Sequence, residues 1–406
     1  MKQNKTLLAL IGFLFIAVTA QAAPVQRIRE IMRPIFSVPA IVKAGDSFDI
    51  ELKLNGDKKP ATASLAPSGS AANALPISLT LSPVPENPSA IRASVPASAP
   101  EALYNLTVSF SDGSSDSQPH AVKILKEFKK DFDFVHLTDI HFNIREVPGK
   151  DTNAIRIRLL QDIAKLNPEF VIFTGDLGLS PINYDRDYVF HYEKFLEYLS
   201  VPFYTNPGNH DLDTDVSVSP AIDGLPYWTA TYGPTYYSFD YDGIHFISIN
   251  THDWPDSFRY KPAAEADKIG VGTIALIGQE QWAWIKKDAL AAAKAGKTSM
   301  AFTHIPVEFL QSNVKSGVGK EKAEGPSTSQ FIQMMTKYKV SPVFVGHVHF
   351  NAERPLGASS LEIVTEAAGL DLKKDNDPHW GYRIVHVKDG KIAGYDIHEI
   401  GFEDLK

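Results

Sequence analysis

VPFYTNPGNHDLD, residues 201–213, passes from an apolar, strand-like run into an amide, an imidazole and two carboxylates. Polar side chains just past a core strand need partners, because burying them unpaired costs free energy. The same arrangement recurs along the chain. Asp139 and His141 follow DFDFVHLT, Asp176 follows FVIFTG, His304 follows SMAFT, and His347 and His349 follow PVFVG. Five strands therefore deliver metal-competent residues to one edge, and the carboxyl ends of strands are where open α/β sheets collect ligands.

The segments between these strands read as helices. DTNAIRIRLLQDIAKLNP repeats Ile155, Leu159, Ile163 and Leu166 on one face, with Asp151 or Thr152 as N-cap. DYVFHYEKFLEYLS places Val189, Tyr192, Leu196 and Leu199 inward. TYYSFDYDGIHFISIN reads as a hairpin around Asp242-Gly243. GQEQWAWIKKDALAAAKAG is a helix ended by Gly296, and TSQFIQMMTKYK is another. Alternating strands and helices over residues 131–400 predict an α/β layered fold.

Residues 24–126 differ. Short segments of period 2, among them SFDIELKL, LPISLTLSPV and ALYNLTVSF, are separated by turn-rich Pro, Ser, Ala and Gly stretches. That pattern predicts a small all-β, immunoglobulin-like sandwich. It holds no cluster of catalytic residue types and reads as an accessory domain. Ahead of it, MKQNKTLLALIGFLFIAVTAQAA has Lys2 and Lys5, an apolar stretch from Leu7 to Val18, and small residues up to Ala22. This is the pattern of a signal peptide over residues 1–22, and it predicts a secreted or periplasmic protein without stable membrane insertion after cleavage.

The 406-residue chain carries a formal charge of −8, which becomes −10 without the leader (38 basic against 48 acidic residues). No basic run points to nucleic acid, and none is expected as a partner. There is no cysteine, so disulfides and thiolate ligands are excluded. A metal must be held by nitrogen and oxygen. His141, His304, His347 and His349 supply imidazoles, and Asp139, Asp176 and Asn209 supply oxygens. That set suits Zn, Mn, Fe or Co better than Ca or Mg. Seven ligands suit two ions sharing one carboxylate. Two divalent ions, less two carboxylates and a hydroxide, leave a centre of about +1 that polarises a phosphate oxygen and yields a hydroxide near neutral pH.

DIH, GDL, GNHD, THIP and GHVH, in this order, resemble the calcineurin-like metallophosphoesterase superfamily over residues 131–400. The resemblance implies a four-layer αββα sandwich. It implies that Asp139, His141, Asp176 and His349 hold one transition-metal ion, and that Asp176, Asn209, His304 and His347 hold a second, with Asp176 bridging. His210 resembles the family histidine that meets the phosphate and protonates the leaving oxygen. Asp211, next in sequence, is expected to orient that imidazole or to cap the turn. Purple acid phosphatases, a similar branch, carry Gly and Tyr where this chain has His141 and Leu179. The Asp-Arg-Gly extension of the serine/threonine phosphatases is missing from GDLGLS. The Asp-x-His form looks more like the phosphodiesterase-type branch. The implied activity is hydrolysis of a small-molecule phosphodiester or phosphomonoester. A binding or adhesion protein on an inert fold is the alternative, and all seven positions being competent ligands favours the enzyme. The aromatic stretches DGLPYWTATYGPTYY and NTHDWPDSFRY, and His379 with Trp380, are candidates to line a substrate pocket. Oligomeric state is not legible in the sequence.

Overall fold

The computed structural model describes residues 24–69, 75–144, 151–315, 321–369 and 379–405. The leader over residues 1–22 lies outside them. Eight strands between Ile31 and Leu125 form one hydrogen-bonded sheet, which doubles over at the strand Ile77–Pro83. Ile77–Leu79 pair with one half, and Thr80–Pro83 pair with the other. Ile50, Ala93, Leu65, Leu106 and Val108 are fully buried within one apolar cluster.

From Phe132 the chain alternates as the apolar periodicity predicts. Strand β1 (Phe132–Leu137) leads to α1 (Thr152–Leu166), β2 (Val171–Phe173), α2 (Tyr184–Tyr198), β3 (Phe203–Thr205) and α3 (Gly224–Thr231). The hairpin β4 (Tyr237–Tyr241) and β5 (Ile244–Ile249) follows. Next come α4 (Asp256–Arg259), α5 (Ala263–Ile269), α6 (Gln279–Lys294), β6 (Thr298–Thr303), α7 (Thr328–Tyr338) and β7 (Val340–Val345). The hairpins β8 (Ala352–Leu356) with β9 (Ser360–Val364), and β10 (Trp380–Lys388) with β11 (Lys391–Ile400), finish the fold.

These strands make two sheets, ordered β3-β2-β1-β10-β11 and β4-β5-β6-β7-β9-β8. Strands β1, β2 and β3 are parallel, as are β5, β6, β7 and β9. Alternation along β1 explains the layering, because successive side chains leave a strand on opposite faces. Phe132 and Phe134 enter the core shared with the second sheet, whereas Val135 and Leu137 meet helices α1 and α2. Phe134 meets Phe246 of β5 edge-on at 5.8 Å and Phe344 of β7 at 5.6 Å. Each such phenyl contributes about 1.5–3 kcal/mol of burial. Helices α6 and α7 cover the far face of the second sheet. The result is the expected αββα sandwich, with the small β region ahead of it.

Helix faces deviate from the sequence pattern in detail. Asp151 caps α1 by accepting from Asn153 N (3.1 Å), but Leu166 sits at the exposed C-terminal end, and Arg156 and Leu160 are buried instead. On α2 Tyr192 and Leu199 are buried as expected and Leu196 packs half-buried against the same core, while Tyr184, Tyr188, His191 and Phe195 complete the inward stripe in place of Val189. The stripe turns because Tyr188 and His191 bury their rings there while each keeps a hydrogen bond for a polar atom. Tyr188 donates to Asp211 O at 2.7 Å, and the ring of His191 shares a 2.8 Å hydrogen bond with Tyr232. The β region docks on this face. Phe36 stacks on Phe203 at 5.1 Å, and Ser37 Oγ donates to Tyr232 O at 2.5 Å.

Candidate metal centre

The parallel ends of β1, β2 and β3 in one sheet meet the ends of β6 and β7 in the other. Beyond these ends the backbone turns sharply. Asp139, His141, Asp176, His347 and His349 all adopt left-handed φ, between 42° and 70°. Asp and His tolerate this region better than most residues, but each instance costs on the order of 1–3 kcal/mol. Such strain persists where surrounding structure holds it, and here tight loop crossings do so. A Cβ on Gly175 would stand 2.1 Å from Gly208 N, and one on Gly208 would stand 2.0 Å from Asp176 Oδ1. The two glycines let the 175–177 and 206–211 turns touch backbone to backbone.

Two clusters result, Asp139 with His141 and His349, and Asp176 with His304 and His347. Within each, one ligand atom per residue lies within 4.8 Å of the others. Asp139, His141, Asp176, Asn209 and His304 are almost wholly buried. Asp139 Oδ2 accepts from Thr138 Oγ1 (2.5 Å) and His347 N (2.9 Å), and Asp176 Oδ1 accepts from His210 N (3.0 Å). Among the described residues no Lys or Arg forms an ion pair with either carboxylate.

The donor geometry fits cations. His141 Nδ1 donates to Gly178 O at 2.9 Å, which leaves the Nε2 lone pair facing inward. That Nε2 has no hydrogen-bond partner and stands 3.7 Å from Asp176 Oδ2 and 3.8 Å from Asp139 Oδ1. These separations are too long for hydrogen bonds. They suit atoms that share one ion through bonds of about 2 Å. His304 repeats the pattern. Its Nδ1 donates to Thr174 O at 2.6 Å, so Nε2 faces Asp176 Oδ2 at 3.2 Å and Asn209 Oδ1 at 3.1 Å. Three lone-pair-bearing atoms facing one another require a positive charge between them. A proton on His304 Nε2 would meet the same demand. Burial pushes His304 down, but Asp176 and Asp139 outweigh it and raise its pKa to about 9. Backbone carbonyls behind the imidazoles fix their tautomers, as is usual for metal-ligating histidines.

His210 is partly exposed beside this centre. Its Nδ1 lies 3.2 Å from Asp213 Oδ2. Burial lowers its pKa, yet Asp176, Asp213 and Asp211 together raise it to about 10. Of the two expectations for Asp211, orienting this ring or capping the turn, the geometry follows the second. The Asp211 carboxylate turns away and accepts from the backbone N–H of Asp176 (2.8 Å), Leu177 (2.9 Å) and Gly208 (2.9 Å). It clamps the two turns together, and Asp213, two residues on, takes the place beside the imidazole. HDLD offers two carboxylates, and nothing in the sequence says which reaches back.

A cleft of about 700 Å³ opens beyond His210, His347 and His349. Of the aromatic stretches proposed to line it, Tyr227 and Trp228 are instead buried in the helical core through α3. Trp254 and Phe258 form a separate apolar cluster with Val271 and Leu276. Trp380 is buried, and His379 lies 3.4 Å from Glu403. Neither lines the cleft. His252 and Arg259, from the NTHDWPDSFRY stretch, do.

A family model for calcineurin-like phosphoesterases matches residues 132–351. The chain is similar to the mouse serine/threonine-protein phosphatase CPPED1, 27% identical over 313 residues that span 69% of this chain and 90% of that protein. The bovine protein of the same name is 27% identical over 310 residues, 69% and 89% of the two chains. Among solved structures, yellow lupin purple acid phosphatase PPD1 aligns with a TM-score of 0.48 at 14% identity, over 90% of this chain and 74% of that one. A dimetal phosphatase from Danio rerio aligns with a TM-score of 0.44 at 13% identity, over 68% of this chain and all of the other.

Proposed function

The chain belongs to the calcineurin-like phosphoesterase family, and from that premise we propose that it is an exported phosphoester hydrolase that works with two transition-metal ions, with His210 as general acid. Asp139, His141, Asp176 and His349 are assigned to one ion, and Asp176, Asn209, His304 and His347 to the other. Mn, Fe, Zn or Co bound there would polarise a phosphate oxygen and make a water molecule nucleophilic near neutral pH. The observation that carries the reading is His141 Nε2, buried without a hydrogen-bond partner and facing Asp139 at 3.8 Å and Asp176 at 3.7 Å, gaps that suit a shared cation.

The chain's own residues supply the rest. Asp213 Oδ2 stands 3.2 Å from Nδ1 of His210, which leaves Nε2 as the atom to hand a proton to the leaving oxygen. Asp211 holds the loops that carry Asp176 and Asn209, and thereby the distance from the acid to the centre. The Asp-x-His motif favours diesters. The relatives' names, serine/threonine-protein phosphatase, favour monoesters and admit phosphoserine as a substrate, with the serine hydroxyl as leaving group.

The test is hydrolysis of bis-p-nitrophenyl phosphate beside p-nitrophenyl phosphate by chelated protein re-loaded with Mn, Zn, Fe or Co. Metal-dependent turnover, lost in His210→Ala and Asp176→Asn, is expected. Stoichiometric metal binding with no turnover of either ester would sink the hydrolase in favour of the inert binding protein.

A further inference from the structure

The leaving oxygen must meet His210, so the remainder of the leaving group must occupy the cleft beyond it. That cleft has a definite character. Leu212, Ala266 and Val271 give it an apolar wall. Asp213, Asp215 and Asp267 place three carboxylates in its lining. The one lining residue among those described that carries a guanidinium or ammonium is Arg259. Its charge is already taken, because Nη2 bonds to Asp223 Oδ1 and Nη1 lies 3.4 Å from Asp256. His252 also lines the cleft. It is 2% exposed, and its Nδ1 has no hydrogen-bond partner. A buried, unpartnered ring nitrogen at a cleft wall is a place for a ligand hydrogen-bonding group, since leaving it unmet costs free energy. The volume, about 700 Å³, is that of a small-molecule site.

We propose that this cleft is a leaving-group pocket for an aminoalkyl phosphoester, a short apolar chain ending in a cationic amine. The inference rests on the hydrolase reading above. The chain lies along Leu212, Ala266 and Val271. The ammonium sits beside Asp215 and Asp267, the two lining carboxylates not already facing His210 or the metal centre, at the wall that carries His252. An anionic leaving group meets like charge in the same place. Hydrolysis balances simply: water adds to phosphorus, the P–O bond to the aminoalcohol breaks, and the proton from His210 goes to the departing oxygen.

The test uses the metal-loaded full chain and three alkyl groups of similar size, 2-aminoethyl, propyl and carboxymethyl, each as phosphate monoester and as methyl phosphodiester. Turnover is read beside the p-nitrophenyl esters. The expected order of kcat/KM is aminoethyl over propyl over carboxymethyl, with about ten-fold between the first two, which corresponds to about 1.4 kcal/mol. Asp215→Asn combined with Asp267→Asn should bring the aminoethyl-to-propyl ratio within about two-fold of unity. Binding to the His210→Ala protein gives a second readout, with the same order expected in Kd. Equal handling of aminoethyl and propyl esters, while p-nitrophenyl esters turn over, overturns the pocket and leaves the hydrolase standing. Preference for carboxymethyl also overturns it, and would give the free Nε of Arg259 the anion-binding role. Faster turnover of a phosphoserine peptide than of every small ester overturns it in favour of a protein substrate. No turnover of any ester overturns both readings.

Discussion

Nδ1 of His210 and Oδ2 of Asp213 stand 3.2 Å apart, while Asp211, the nearer neighbour in sequence, gives its carboxylate to three backbone amides. The two acids therefore do different work, and their variants separate. Asp213→Asn removes the charge that holds the proton on His210, and kcat should fall about ten-fold or more with KM little changed. Asp211→Asn leaves one fewer charged acceptor for three buried N–H groups, at about 1.5–3 kcal/mol. Its thermal unfolding midpoint should drop. Kinetics and calorimetry on both variants check the division, and a stability loss confined to Asp213→Asn would reverse it.

Asp139 and Asp176 are buried carboxylates without a Lys or Arg partner among the described residues. Two ions per chain are expected by elemental analysis. Exhaustive chelation should lower the unfolding temperature markedly at pH 7, because like charges are left facing one another in a medium of low polarity. Unchanged stability after removal of the metal would show that the clusters do not hold it.

Gly208 tests the loop crossing. An added Cβ would lie 2.0 Å from Asp176 Oδ1 and 2.5 Å from Asp176 N. Gly208→Ala should cut metal content and cost upward of about 2 kcal/mol, in the range of overpacked sites. Gly394→Ala, whose Cβ would meet nothing within 4 Å, serves as comparison and should change stability by less than about 1 kcal/mol. Equal effects would remove steric closeness as the reason for glycine at 208.

His245 carries a pH dependence away from the metal centre. Its Nδ1 and Nε2 each lie 2.8 Å from a carboxylate, Asp240 and Asp288, and Lys297 bonds to the other oxygen of Asp240. Burial lowers the imidazole pKa, but the two acids outweigh it and raise it to about 9. A raised pKa stabilises the fold fully below the unfolded value of about 6.5, and the benefit fades as pH rises through about 9. His245→Gln should lose about 1–3 kcal/mol at pH 6 and nearly nothing at pH 10. Urea unfolding of both proteins across that range measures it, and a pH-independent difference would contradict the assignment.

The residue types and their order determined a good deal. Periodicity of apolar residues decided strand and helix, because each side chain is buried or exposed by its own chemistry whichever partner it meets. Polar ligand types after five of the parallel strands marked the edge where the centre forms, and the absence of cysteine restricted it to nitrogen and oxygen donors. What only the tertiary structure decided is which atom faces which. Tyr188 and His191 joined Tyr192 on the inner face of α2, with Val189 left half-buried, because carbonyl and hydroxyl partners wait there from segments distant in sequence. Trp228 reads like a pocket aromatic and is core, because α3 turns it inward. Asp213 rather than Asp211 meets His210 because the 175–177 turn offers its backbone N–H groups to Asp211 first. Hydrogen bonds act over about 3 Å and depend on direction, so they are fixed only when both partners are in place, whereas burial needs no particular partner and can be read along the chain.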